Sequence, residues 1–105
     1  MCNENKLEGV ALPPPLFALG FIVATAGAIA LLNSNAMSET DLLARHECGH
    51  WGEAVSPEDA QANVDAVSND GRIFSAFLLP VGGTVWIITE AGRSFTIVLL
   101  PTDFL

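Results

Sequence analysis

The sequence predicts an α+β fold: a short N-terminal strand, three helices, then a three-stranded antiparallel meander with the helices packed on one face. Three observations carry this expectation. Residues 56–71, SPEDAQANVDAVSNDG, hold the start and stop signals of a helix. Residues 72–100 hold three β-branched and aromatic runs separated by glycine-containing turns. The apolar run over 16–32, LFALGFIVATAGAIALL, changes midway from β-branched residues to helix formers.

Residues 1–15 read as a flexible leader, and 16–105 as one α+β domain, the size expected of a single core. The PPP at 13–15 enforces an extended approach. A buried strand over Leu19 to Ala24 then feeds a helix from Ala26 to about Asn33, with Thr25 as N-cap. Ser38 caps a second helix, in an imperfect capping box with Asp41. Leu42, Leu43 and His46 share a face of it, and Gly49 stops it. In the third helix Ser56 caps, Pro57 occupies the first turn, and Glu58 and Asp59 suit the positive end of the dipole. Ala60, Val64 and Val67 form its expected buried stripe. The strands follow at 72–80, 84–90 and 94–100, with Phe95, Ile97 and Leu99 giving the last one a more apolar face.

Twelve acidic residues against four basic ones give a formal net charge of −8. Lys6, Arg45, Arg72 and Arg93 are scattered, so the electrostatic footprint of a nucleic-acid binder is missing. The acidic surplus suits a basic protein partner and repels phosphates and anionic lipid. Cys2 and Cys48 make no disulfide framework, which fits a reducing cytoplasm. The apolar run over 16–32 is at the short limit of a membrane-spanning helix. Gly20, Thr25 and Gly27 interrupt it, and its change of character favours a split between strand and helix in a cytoplasmic protein. A small membrane-anchored protein is the alternative this run leaves open.

HECGHW at 46–51 contains the H-E-x-x-H pattern of zinc hydrolases. On a helix, His46 and His50 would share a face and Glu47 could polarise a metal-bound water. A catalytic zinc takes three protein ligands, and no third histidine exists. Cys48, Glu53, Glu58 and Asp59 are the remaining candidates, and Gly49 weakens the helix where both ligands need it rigid. A hydrogen-bonded core histidine is the simpler reading of His46. Neither metal nor cofactor is expected. Ser75 and Ser94 lie outside any G-x-S-x-G elbow.

Trp51 reads as the plug that closes the helix layer on the sheet, and Trp86 as sheet-face packing. Glu90 and Arg93 flank the AGR turn and could pair across it, with Arg72 on the neighbouring strand. If the chain binds a partner, Trp51, Arg72, Trp86, Glu90 and Arg93 are its candidate contact residues.

The segments GFIVATAGAIALL, LLARH, GHWG, Glu58, Asp59 and Asn63, RIFSAF and VWIITEAGRSFTIVLLPTDF together resemble a family of small bacterial proteins of plasmids and integrative elements. The resemblance covers about residues 19–104, and its most specific part is WIITEA-x-RS-x-T-x-LLP. The family pattern has Pro where this chain has Ala26, and Asp where it has His50. The H-E-x-x-H string therefore arises by substitution on a background that lacks it. The resemblance implies a mobile-element protein and says little about its activity.

The expected function is that of a small acidic binding or regulatory protein, acting without catalysis on a protein partner such as a host defence or nucleic-acid-handling protein. A zinc hydrolase using His46, Glu47 and His50 is the rival. A meander leaves strands 72–80 and 94–100 at its edges unless FIVA pairs with one of them. A monomer, or a homodimer through the 94–100 edge, is the expected state.

Overall fold

The computed structural model describes residues 14–104. The expected leader therefore lies, for residues 1–13, outside the described residues. Strand β1 is Phe21–Ala24, followed by helices α1 (Ala26–Ser34), α2 (Glu39–Glu47) and α3 (Pro57–Asn69). Strands β2 (Ile73–Leu78), β3 (Thr84–Thr89) and β4 (Phe95–Leu99) complete one four-stranded sheet in the order β1-β4-β3-β2.

The α+β class and the element order follow the sequence. The three-stranded meander does not stand alone, because β1 pairs with β4 in parallel, Phe21 opposite Phe95 and Ala24 opposite Val98. The sheet is therefore mixed, and the strand over 94–100 is interior rather than an edge. The connection from β1 to β4 runs through all three helices, so no local turn signal announces it.

The caps behave as local chemistry dictates. Thr25 accepts a hydrogen bond from Ala28 N–H at 3.1 Å, and Ser56 from Asp59 N–H at 3.1 Å. Ser38 stands at the N-cap of α2 but makes no side-chain cap, so the box with Asp41 does not form. The end of α2 is a Schellman motif. Gly49 N–H donates to His46 C=O, and His50 N–H reaches Arg45 C=O at 2.9 Å. Gly49 carries the left-handed φ of 92° that this motif requires.

The helices cover the sheet face that carries Phe77, Val85, Ile87 and Val98. Against these pack Ala28 and Leu32 of α1 with Leu42 and Leu43 of α2. A second cluster joins Phe17, Ala66 of α3 and Ile73. The segment 16–32 is split between β1 and α1, as its composition predicts. Among the described residues, no helix is long and apolar enough to cross a membrane.

Two expectations about burial are corrected. Strand β1 is exposed rather than buried, with Phe21 at 73% of its accessible surface. Helix α3 buries Asn63 and Ala66, while Val64 of the expected stripe is 54% exposed. The rotation has a polar cause. The Asn63 amide donates to Phe74 C=O at 2.7 Å and accepts from Phe74 N–H at 3.0 Å. It holds both outward backbone groups of that β2 residue, as a neighbouring strand would.

Candidate functional sites

Three regions hold the residues singled out from the sequence: a buried polar chain around His46, the hairpin that carries Arg93, and the face of the sheet that none of the three described helices covers.

His46 is fully buried. Its Nδ1 lies 2.5 Å from Ser75 Oγ and its Nε2 lies 2.9 Å from Thr89 Oγ1. Thr89 Oγ1 in turn lies 2.7 Å from Thr96 Oγ1, and Thr96 donates to Leu19 C=O at 2.6 Å. Burial, with Arg93 nearby, lowers the imidazole pKa from 6.5 to about 3, so the ring is neutral at ordinary pH. One arrangement of protons then uses every hydroxyl once. Thr96 donates to the Leu19 carbonyl and so accepts from Thr89. Thr89 must accept from Nε2–H, which leaves Nδ1 as acceptor for Ser75 O–H. The chain ties α2 to β2, β3, β4 and the approach to β1.

This geometry leaves His46 without a free nitrogen for a metal. His50 falls past the end of α2, so the helical i, i+4 register of the zinc pattern is not formed. Among the described residues, no group of three or more His, Cys, Asp and Glu side chains could hold a metal ion. Ser75 has the hydrogen bond to a histidine that a nucleophile needs, but it is fully buried, so no substrate can reach it. Cys48, the C-cap of α2, is not a free thiol, so it gives no support to the reducing-compartment reading. Trp51 covers this region from outside, 6.1 Å from the His46 ring and 6.4 Å from Phe17.

Arg93 belongs to the fold. Its guanidinium donates to Ala66 C=O at 2.8 Å and to Gly71 C=O, and it pairs with Asp70 at 3.5 Å. It also lies over the Phe17 ring, 5.4 Å from its centroid. Arg93 thus satisfies carbonyls at the end of α3, where a cation also suits the helix dipole. The expected Glu90–Arg93 pair across the turn does not form. Glu90 pairs with Arg72 at 3.5 Å instead. The reason is the backbone. Gly92 has φ 80° and Arg93 has φ 61°, which sends the arginine side chain away from Glu90 and toward α3.

The other sheet face carries Phe21 and Val23 of β1, Phe95, Ile97 and Leu99 of β4, Trp86 and Ile88 of β3, and Phe74 of β2. These are apolar, with the half-buried Thr84 beside them on β3; Ile88 and Leu99 are buried, whereas Phe21, Val23 and Phe95 are exposed. Arg72, Phe74, Trp86, Ile88 and Phe104 line a cleft of about 210 Å³ on this face. The Phe74 and Trp86 rings meet edge to face at 5.1 Å, and Phe104 stands against Trp86 at 5.7 Å. Arg72 lies over the Phe104 ring at 5.6 Å, and its ion pair with Glu90 forms the polar rim. The fold therefore gathers Arg72, Trp86 and Glu90, and places Trp51 and Arg93 elsewhere. Phe74, Ile88 and Phe104 carried no signal in the sequence, since an apolar strand residue looks the same on either face.

Comparison with protein-family models, with curated proteins and with solved structures gives no match to this chain.

Proposed function

We propose that this chain is a non-enzymatic binding protein whose helix-free sheet face receives a protein partner. The anchor is one apolar side chain of that partner, entering the cleft between Phe74, Trp86 and Phe104. The observation that supports this reading is the uncovered apolar face itself. Phe21, Val23, Phe95 and Phe104 are exposed on this side; exposed apolar surface marks interaction sites, and aromatic-lined clefts supply the buried anchors of interfaces. The Arg72–Glu90 pair at the rim offers both a cation and a carboxylate to polar groups around the anchor.

Charge bears on the partner's nature. The net −8 favours a basic protein and disfavours nucleic acid. Glu58, Asp59 and Asp65 lie on α3, away from the cleft, so they would steer encounter rather than fill the interface. The resemblance of the sequence supplies a setting, a mobile genetic element, in which a host defence or nucleic-acid-handling protein is the natural target. A cytoplasmic location accords with that setting.

A photo-reactive phenylalanine analogue in place of Phe104 tests the reading. In the host cell it is expected to trap one protein reproducibly, and Trp86→Ala is expected to abolish that capture. The same analogue at Val64, on the opposite layer, is expected to trap nothing in common with it. Equal capture from both positions, or none from Phe104, would mean that the partner docks elsewhere.

A further inference from the structure

The two edges of the sheet are treated in opposite ways. At the β2 edge every outward residue has a partner. Phe74 is held on both backbone groups by the Asn63 amide. Ala76 donates to Trp51 C=O at 2.9 Å and accepts from Ala54 N–H at 3.1 Å. Leu78 N–H donates to the Glu53 carboxylate at 3.1 Å. Burial alone would raise the Glu53 pKa, but hydrogen bonds from backbone N–H groups and from Arg45 hold it below the ordinary value, so it is an anion here. Another strand has no place to add.

Among the described residues, nothing comparable covers the β1 edge. Phe21 N–H and Thr25 N–H donate inward, to Ser94 C=O and Val98 C=O. By the alternation of a strand, the backbone groups of Ile22 and Ala24 point outward. Sheet order ends at β1. The edge has no lysine, no proline and no charge, the devices that normally keep an edge from pairing. Phe21 and Ile22 are 73% and 45% exposed beside it.

We infer that β1 is the interface through which two copies of this chain pair, antiparallel about a twofold axis, to form a continuous eight-stranded sheet. The choice of a second copy rests on charge. No ionisable side chain lies between Glu8 and Glu39, in a chain whose net charge is −8. Two copies carry the same charge and repel wherever their acidic surfaces meet. Along β1 itself they meet without opposing side-chain charges; the carboxylate nearest to it, Asp103, lies past the end of the strand, held by Thr25 Oγ1 and Leu100 N–H. A basic partner would find no acidic side chain on β1 to pair with. Antiparallel strand pairing is also self-complementary under twofold symmetry, since each copy offers the same donors and acceptors to the other. The edge is four residues long, which places the dimer among small, exchanging interfaces. Pairing would also bring two helix-free faces side by side, although it does not depend on the cleft being a binding site.

Sedimentation velocity over a wide concentration range tests this, with the full chain. The wild type is expected to pass from monomer to dimer as concentration rises. Ile22→Lys and Phe21→Lys are each expected to weaken the dimer by at least about tenfold, with unchanged circular dichroism and melting temperature. Val64→Lys, which puts the same charge on exposed α3, is expected to leave association as it was. Hydrogen exchange gives an independent reading: the amides of Ile22 and Ala24 are expected to slow as concentration rises, while that of Leu78 is not. A wild type that stays monomeric at millimolar concentration overturns the inference. So does a dimer that both edge variants leave intact, or concentration-independent exchange at Ile22 and Ala24.

Discussion

Nδ1 of His46 and Oγ of Ser75 lie 2.5 Å apart in a region where neither residue has any solvent exposure. The pair has the look of a base and its nucleophile, yet it works as a joint. With Thr89 and Thr96 it forms a run of hydroxyls and imidazole in which each donor has one acceptor. Among the described residues no buried side-chain polar atom is left without a partner. Such a network stabilises one arrangement of α2 over the sheet because any other leaves buried groups unpaired.

The protonation of His46 makes stability fall in weak acid. The unfolded chain binds a proton at the ordinary histidine value of 6.5, whereas the folded chain does so only near about 3. Between these values the unfolded state holds more protons. The contribution is therefore complete above pH 6.5 and is lost as pH falls toward 3, at about 1.4 kcal/mol per pH unit. Urea midpoints between pH 7.5 and 5 would measure the slope. Glu47, raised by partial burial, acts with the opposite sign, so the comparison is with His46→Gln, which retains it. The variant is expected to be less stable at pH 7.5 and to show a flatter slope. Equal slopes would mean that His46 does not titrate as described.

Arg93→Glu is expected to destabilise the domain by roughly 2–4 kcal/mol, well beyond what an exposed turn charge contributes. It removes the donors to Ala66 C=O and Gly71 C=O and sets a carboxylate against them and against Asp70. Arg93→Lys should be milder, since it keeps the charge and loses the fork that spans two carbonyls. Arg72→Glu, at a half-exposed ion pair, should change the unfolding free energy by less than about 1 kcal/mol. Similar losses at positions 72 and 93 would contradict the roles assigned to these two arginines.

Asn63→Leu keeps a branched side chain of similar shape and raises helix propensity, but releases both backbone groups of Phe74. A loss of about 2–3 kcal/mol is expected. Hydrogen exchange should report it locally, as faster exchange of the Phe74 amide, whose donor now faces an apolar side chain. An unaltered Phe74 amide would show that another group takes over the clamp.

What was legible in the sequence was local. Thr25, Ser56 with Pro57, and Gly49 announce helix ends because caps are chemistry between near neighbours. The strands β2, β3 and β4 are legible from their β-branched runs and short turns. The place of β1 was not, because its partner stands more than seventy residues away, and either edge of the meander could have received it. The rotation of α3 was hidden for a related reason. Asn63 reads as a polar surface residue until the backbone it clamps is known. At the candidate site, charge and tryptophan drew attention to Arg72, Trp86 and Glu90. Phe74, Ile88 and Phe104 stayed unmarked, since period-two alternation says which residues share a face and not which face the helices take.

Two glycines separate backbone strain from steric fit, and they give the last prediction. Gly52 has φ 94° and Gly82 has φ 120°, conformations that L side chains rarely adopt. Alanine at either site therefore costs about 1–2 kcal/mol in strain alone. Their surroundings differ. Nothing lies within 4 Å of a Cβ at Gly82, in the β2–β3 turn. A Cβ at Gly52 would come 2.1 Å from Ala76 C=O, because the loop is pressed onto the β2 backbone by the hydrogen bonds on either side of it. That neighbour is backbone and cannot swing aside. Gly52→Ala must therefore part the loop from the strand, losing the Trp51 and Ala54 bonds to Ala76 and opening the sealed edge. It is expected to cost more than about 3 kcal/mol, at least twice the loss from Gly82→Ala, and to raise the exchange rate of the Ala76 amide. Chemical denaturation of the two variants measures the difference, and equal losses would show that the loop is not held against β2.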